Sequence, residues 1–172
     1  MRAAVLHPDC RVSVTEIDPP GPAPGQIVVA PLFVGLCGSD VSYAAKGANG
    51  AFVVRHPMGL GHEICATLTE PSRLGDELVP AGAAVVVHPL WPSPLRGESV
   101  VRTEFADDPT SFLGSASTLP HTNGGLAELV AVRPEQLRLV PEGRRPTRAV
   151  LAEPLAVVLH ALGRLPVAVA GR

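Results

Sequence analysis

The chain has 172 residues, of which 46% are hydrophobic and 17% charged, and its formal net charge is −2. This composition can bury a core, which excludes global disorder. The near-balanced charge offers no basic surface for nucleic acid or for an anionic membrane. Two small charged clusters are interpreted as solvated loops, Arg144, Arg145 and Arg148 on one side and Asp107 with Asp108 on the other.

The sequence also predicts a cytoplasmic location. No stretch of about 18 apolar residues is present to span a membrane, and the N-terminal apolar run ends at His7, too early for a signal peptide. The cysteines are Cys10, Cys37 and Cys65, an odd and widely spaced set. Such a set does not indicate a disulfide framework, and we interpret Cys10 and Cys65 as small buried hydrophobes.

Most of the chain is predicted to be strand. Residues 3–6 and 11–17 form a hairpin around Pro8, and alternation over 11–17 predicts one buried face. After a proline-rich connector at residues 19–25, further strands are predicted at residues 26–35, 63–69, 83–88, 126–132 and 136–140. The strand at 83–88 is almost wholly apolar, which predicts cover on both sides. Short strands with frequent turn signals indicate a mainly β barrel or sandwich.

One helix is predicted, late in the chain. Leu155, Val158, Leu159 and Leu162 recur at helical spacing from Pro154, which suits a first helical position, and Gly163 is placed as a C-terminal cap. The spacing therefore predicts a helix over residues 154–162 that runs out of the β domain.

Two local motifs contain residues of the types that bind zinc. Gly35-Leu36-Cys37-Gly38-Ser39-Asp40 follows a predicted strand, and Gly59-Leu60-Gly61-His62-Glu63 lies 25 residues further on, counted from Cys37 to His62. Thiolate, imidazole and carboxylate are zinc ligands, and three protein ligands with an open fourth position define a catalytic site. Glycines in both motifs allow the backbone to bend tightly around a metal.

Together these motifs closely resemble the catalytic-zinc motifs of the medium-chain dehydrogenase superfamily, which comprises zinc alcohol and polyol dehydrogenases. The resemblance implies a GroES-like, partly open β-barrel with a few short helices. It implies that Cys37 and His62 bind zinc and that Ser39 relays the substrate's hydroxyl proton. Asp40 takes the position that orients the ligating histidine.

The segment Leu151-Ala152-Glu153-Pro154-Leu155 resembles the passage into the coenzyme domain of sorbitol-type members. In those members a glutamate stands here, where classical alcohol dehydrogenases carry a cysteine ligand. The resemblance makes Glu153 either a direct zinc ligand or a partner of the zinc-bound water. Glu63 has the same two alternatives, which make it either a zinc ligand or a catalytic residue that acts on the zinc-bound water, and both remain open.

The stretch from Phe112 to Gly125, with its Gly-Ser-Ala run and Pro-His pair, resembles L-idonate 5-dehydrogenases. The resemblance favours oxidation of L-idonate to the 5-keto acid over oxidation of sorbitol or another polyol. The alternative interpretation of this stretch is a loop with a β-turn and an exposed His121, without a role in substrate recognition.

The chain departs from the superfamily pattern in three places. The lobe that often holds a second, structural zinc falls between about Pro92 and Phe112 and contains no cysteine, so one zinc per chain is expected. Ala66 stands where the signature expects glycine, and extra residues surround 71–80. These last two changes predict a reshaped turn away from the metal.

No Gly-x-Gly-x-x-Gly motif occurs, so no coenzyme-binding residue is predicted. We expect a fragment, with a catalytic domain at residues 1–150 and a connecting helix and linker at 151–172 toward a missing Rossmann domain. The resemblance implies a small polyol or sugar-acid substrate and hydride transfer to NAD or NADP.

The chain alone is expected to be inactive, and exposed apolar surface favours a homo-oligomer. The alternatives are a non-catalytic GroES-like scaffold module and a zinc-free quinone-reductase-type member.

Overall fold

The computed structural model describes residues 1–92 and 110–164. Its helices are α1 (Gly38–Lys46), α2 (Pro146–Ala149) and α3 (Ala152–Gly163), with a 3-10 turn at Pro134–Gln136. Its strands are β1 (Arg2–Leu6), β2 (Val12–Glu16), β3 (Ile27–Gly35), β4 (Ala48–Asn49), β5 (Phe52–Val53), β6 (Met58–Gly59), β7 (Glu63–Leu68), β8 (Ser72–Leu74), β9 (Glu77–Val79), β10 (Ala84–Val87), β11 (Leu90–Pro92), β12 (Thr110–Phe112), β13 (Val130–Val132) and β14 (Leu137–Leu139). The predicted mainly β class is confirmed.

Two antiparallel sheets form the body of the domain. One has the order β2-β1-β6, and the other, a half-barrel, has the order β13-β3-β7-β10-β14. The backbone of residues 126–128 joins the first sheet, since the Ala4 amide donates to the Leu126 carbonyl and the Glu128 amide to the Arg2 carbonyl. Among the described residues, no helix is long and apolar enough to cross a membrane.

Each sheet buries its own hydrophobic cluster. The larger cluster lies on the five-stranded sheet and consists of Val29, Ile64, Ala66, Leu68, Val79, Val85, Val87, Leu113, Val130, Val132 and Leu137. The smaller cluster joins α1 to the three-stranded sheet and consists of Leu6, Tyr43, Val54, Met58, Leu60 and Ala116. Ala66, where the superfamily signature expects glycine, is fully buried in β7, so its methyl group contributes to the core.

The first hairpin forms as predicted, with Leu6 opposite Val12. Its predicted buried face is wrong, because the apolar side chains of β2 are exposed, Val14 by 74%. β2 is the outer strand of its sheet, and nothing among the described residues covers those side chains. Cys10, in the turn, is half-buried and has a left-handed φ of 65°.

Other strands have different bounds from those predicted, because hydrogen bonds within turns replace strand pairing at some apolar segments. Only Val130–Val132 of the predicted strand 126–132 is strand, and Gln136 belongs to the 3-10 turn before β14. The Gln136 side chain accepts a hydrogen bond from the Arg133 amide, which closes that turn. β10 buries Val85 and Val87 but leaves its other face half-buried, so it is not covered equally on both sides.

β3 and β7 pair over most of their length and bring the two motifs together. Their register shifts between Pro31 and Phe33, where proline has no amide hydrogen to donate. Beyond this irregularity the pairing ends with Gly35 opposite Glu63. The last residue of β3 therefore lies beside the first residue of β7, at the sheet edge where the loops of both motifs emerge.

The predicted late helix is present but begins two residues earlier, at Ala152, so Pro154 occupies its third position. Proline is tolerated there because the first four helical amides lack intrahelical partners. The helix ends at Gly163, with Arg164 as its cap. Its apolar side chains are each more than half exposed: Leu155, Val157, Val158, Leu159 and Leu162.

Candidate metal centre

Cys37, His62 and Glu63 lie together at this sheet edge. Their ligand atoms, one from each side chain, are all within 4.8 Å of one another. Cys37 is half-buried, whereas His62 and Glu63 are buried. The donor set of sulfur, nitrogen and oxygen matches that of catalytic zinc, which bonds such atoms at about 2.0–2.3 Å. The three residues present therefore fit a zinc ion.

Cys37 is held at the start of a helix that the sequence reasoning missed. It is the N-terminal cap residue of α1, and its amide donates to the Asp40 carboxylate at 2.9 Å. Gly47, in a left-handed conformation, caps the other end of the helix. A helix N-terminus favours negative charge beside it, which suits a metal-binding thiolate. The signals available in the sequence were Gly47 and an acidic residue in the first turn.

Asp40 connects the two ligand loops. Its second carboxylate oxygen accepts a hydrogen bond from the Gly61 amide at 3.0 Å, and the side chain is buried. The carboxylate also lies 3.8 Å from His62 Nδ1, longer than a hydrogen bond. In this structure Asp40 thus acts mainly on the backbones that present Cys37 and His62.

Two glycines allow the loops to approach. Gly61 has a φ of 88°, which other residues rarely adopt. At Gly35 a Cβ atom would collide with the Glu63 carboxylate. The absence of a side chain at Gly35 therefore gives Glu63 the space to direct its carboxylate toward Cys37 and His62.

Phe112, in β12, borders the centre and was not singled out as a site residue from the sequence. Its ring meets the His62 ring edge to face, with 5.1 Å between centroids and an interplanar angle of 65°. Such packing restricts the rotation of the imidazole and keeps water from one side of it. The available signal was its rarity, since the chain has four phenylalanines.

The structure does not place Ser39 and Glu153 in the ligand group. Ser39 is half-buried in the first turn of α1, two residues after Cys37. Glu153 is the second residue of α3, which contacts β7. Burial raises the pKa of the Glu153 carboxyl and the nearby Glu63 carboxylate raises it further, while His62 and His88 act in the opposite direction. Glu153 therefore lies within electrostatic reach of the centre.

The segment from Phe112 to Gly125 is a loop tied closely to the body of the domain. The buried Tyr43 hydroxyl accepts a hydrogen bond from the Ala116 amide at 3.2 Å, which links the segment to α1. His121 is half-buried rather than merely exposed. Its Nε2 accepts from the Arg55 amide and its Nδ1 donates to the Thr118 carbonyl, at 2.9 and 2.8 Å. Both ring nitrogens of His121 therefore have structural partners.

The remaining site expectations have separate outcomes. Cys65 is fully buried in β7, and burial raises the pKa of its thiol, as expected of a core residue. The expectation that the cysteine-free lobe between about Pro92 and Phe112 holds no second zinc stays a prediction, because residues 93–109 lie outside the described residues.

Comparison with known proteins identifies the family. Residues 23–142 match the alcohol dehydrogenase GroES-like domain, and the chain belongs to that family. The resemblance to medium-chain alcohol and polyol dehydrogenases is therefore confirmed, and with it the GroES-like fold.

Individual relatives cover the chain but extend well beyond it. The L-idonate 5-dehydrogenase (NAD(P)(+)) of Escherichia coli K12 is 32% identical over 129 residues, 74% of this chain and 36% of that protein. Sorbitol dehydrogenase of Bos taurus is 32% identical over 145 residues, 84% of this chain and 39% of that protein. The crystal structure of the Escherichia coli L-idonate 5-dehydrogenase has a TM-score of 0.75 at 29% identity and covers 93% of this chain and 45% of that one. The chain thus spans less than half the length of these relatives.

Proposed function

We propose that this chain is the zinc-binding catalytic part of an NAD(P)-dependent dehydrogenase that oxidises a secondary alcohol of a polyol or sugar acid. The observation that carries the proposal is the convergence of the Cys37, His62 and Glu63 ligand atoms within 4.8 Å. Family membership supports it. If the chain were a zinc-free quinone-reductase-type member or a scaffold module, its function would not require these three ligand atoms to converge.

Each residue of the centre has a separate part in the proposal. Cys37, His62 and Glu63 hold one zinc ion per chain, and Asp40 keeps the two ligand loops in register. A bound zinc ion lowers the pKa of a coordinated hydroxyl group and stabilises negative charge on its oxygen. Ser39 takes the substrate's hydroxyl proton toward solvent. The hydride passes to a nicotinamide coenzyme, NAD or NADP, bound by a domain beyond the described residues.

Glu153 is proposed as a partner of the centre. Its carboxyl lies close enough to interact with Glu63 and His62 but outside the group of three ligand atoms. A water molecule between the carboxylate and the metal accounts for both observations, since a bridging water extends the reach of a hydrogen-bonding group. Direct ligation by Glu153 is the alternative.

The proposed substrate is L-idonate, with sorbitol or another polyol as the alternative. The relative named L-idonate 5-dehydrogenase and the sorbitol dehydrogenase from Bos taurus are each 32% identical to this chain. The Phe112 to Gly125 segment, which resembles that of L-idonate 5-dehydrogenases, favours the sugar acid.

Metal analysis of the chain purified without chelators tests the proposed centre. We expect one zinc per chain, lost in Cys37→Ser and retained in Cys10→Ser, the matched control outside the centre. Zinc binding that is absent from the unaltered chain, or equal in both variants, contradicts the proposal.

An activity assay tests the proposal that this chain binds the zinc and a separate domain binds the coenzyme. The chain alone, given L-idonate or sorbitol with NAD or NADP, should show no turnover because the coenzyme domain is proposed to lie elsewhere. In a protein that also contains this domain, we expect oxidation of L-idonate faster than that of sorbitol. Turnover by the chain alone contradicts the proposal that the coenzyme is bound by a domain outside this chain.

A further inference from the structure

A partly open cavity lies between the proline-rich connector and the two main sheets. Its volume is about 430 Å³, within the range of roughly 300–1,000 Å³ that is typical of small-molecule sites. None of the four predicted metal ligands lines it. Its walls are largely apolar and include Val5, Ile17, Leu113, Leu119, Pro120 and Val130.

Arg133 places a positive charge in this wall. Its guanidinium carbon lies 5.3 Å from the ring centroid of Trp91, and both residues line the cavity. Within residues 1–92 and 110–164, Arg133 forms no ion pair with a carboxylate. Stacking on an aromatic face orients the planar guanidinium and leaves its N–H donors at the edge. Among the described residues, the cavity therefore has an oriented cation without a carboxylate partner.

The other polar side chains of the lining are mostly engaged within the protein. Gln136 donates to the His88 carbonyl, and Asn123 accepts from a backbone amide. Both ring nitrogens of His121 are hydrogen-bonded. Asp18, the one carboxylate among the described lining residues, is exposed to solvent. The N-terminal ammonium of Met1, which also lines the cavity, donates to the Ile17 carbonyl. Among the described lining residues, Arg133 is thus the positively charged side chain left to recognise a ligand.

We propose that this cavity binds a small amphipathic carboxylate. The carboxylate pairs with the Arg133 guanidinium, whose fork of N–H groups matches two carboxylate oxygens. The apolar body of the ligand packs against Trp91 and the aliphatic walls, where it loses contact with water.

The cavity and the metal centre share a wall. Side chains alternate between the two faces of a strand. Phe112 therefore packs on His62, while Ser111 and Leu113 line the cavity. A ligand in the cavity contacts the chain on either side of the residue that borders the metal centre.

Trp91 makes the proposal testable, because it is the only tryptophan of the chain and lies in the cavity wall. We would titrate the chain with 4-phenylbutyrate and follow tryptophan fluorescence. The expected result is a saturable change, with 4-phenylbutan-1-ol, the neutral analogue, binding about tenfold or more weakly because it lacks the charge-assisted hydrogen bonds.

Variants distinguish recognition by Arg133 from non-specific hydrophobic binding. Arg133→Gln should weaken binding of the acid about tenfold or more, judged from the midpoint of the titration. Arg138→Gln, at an exposed arginine outside the lining, should bind normally, and Asp18→Asn should bind no more weakly than the unaltered chain. No saturable change, equal affinity for acid and alcohol, or unaltered binding by Arg133→Gln would overturn the proposal. If Arg133→Gln does not fold, the acid and alcohol comparison on the unaltered chain decides it.

Discussion

The carboxylate of Asp40 and the backbone amide of Gly61, 21 residues apart in the chain, share a buried hydrogen bond of 3.0 Å. The other oxygen of the same carboxylate accepts from the Cys37 amide. One side chain therefore connects the loop that presents Cys37 to the loop that presents His62. These two hydrogen bonds fix the position of one ligand loop relative to the other.

Replacement of Asp40 by asparagine should weaken both the fold and the proposed metal site. The amide retains one acceptor but turns an NH₂ group toward a backbone donor, so one buried hydrogen bond is lost. We expect a loss of about 1–3 kcal/mol in the free energy of unfolding and of about 10–100-fold in zinc affinity. Chemical denaturation and competition with a chelator measure these effects. Asp76→Asn, at an exposed aspartate, is the control, and unchanged zinc affinity in Asp40→Asn contradicts the role assigned here.

Gly35 and Gly38, three residues apart, provide a test variant and its matched control for the role of Glu63. A methyl group at Gly35 would collide with the Glu63 carboxylate, whereas one at Gly38 meets nothing within 4 Å. Gly35→Ala should therefore displace Glu63 and lower zinc affinity at least tenfold, roughly the low end of the loss expected when a ligand's support is removed. Gly38→Ala should leave the affinity unchanged. Equal affinities in a chelator competition would show that Glu63 does not hold the metal.

Glu153 predicts a pH dependence for the metal-free chain. Burial raises its pKa in the folded protein, so its ionisation opposes folding. The stability that the neutral carboxyl provides is fully present below its unfolded pKa and is lost as the pH rises through the higher folded value. Glu153→Gln should therefore melt at a higher temperature than the unaltered chain at neutral pH, and the difference should vanish in acid. Melting curves in EDTA across this range measure it, with the exposed Glu142→Gln as the control. A Glu153→Gln variant that melts lower at neutral pH contradicts the expected sign.

The exposed apolar surface of α3 should cause self-association. Five of its side chains are each more than half exposed, so association removes apolar area from water. The double substitution Leu155→Lys with Leu159→Lys should shift the chain toward monomer in sedimentation measurements. Val12→Lys with Val14→Lys, which adds the same charge at two exposed positions of β2, should have a smaller effect. If the α3 variant associates as strongly as the unaltered chain, another surface is responsible.

The sequence predicts most strands because their apolar residues alternate or cluster between turn signals. It does not predict which strands lie at the edge of a sheet. Val12 and Val14 alternate like residues of a half-buried strand, yet they are exposed because β2 has a neighbour on one side only. α1 was missed since its first residues are Gly38 and Ser39, and its stabilising contact depends on the folded position of Asp40.

The candidate site was predicted more completely than the fold that holds it. The residue types in the two motifs and their resemblance to catalytic-zinc motifs indicated Cys37, His62 and Glu63, which the structure brings together. The choice between Glu63 and Glu153 depends on distances across the sheet edge, which no local pattern encodes. Phe112 and the hydrogen bond to Gly61 are likewise products of tertiary packing.

The three converging side chains also have a consequence for how such a protein can change. All of them, together with Asp40 and both glycines of the loops, fall within the single stretch from Gly35 to Glu63. A candidate metal centre that is encoded in one uninterrupted segment can be inherited as a unit. Insertions and exchanges elsewhere in the chain therefore leave the spacing of these residues along the sequence unaltered.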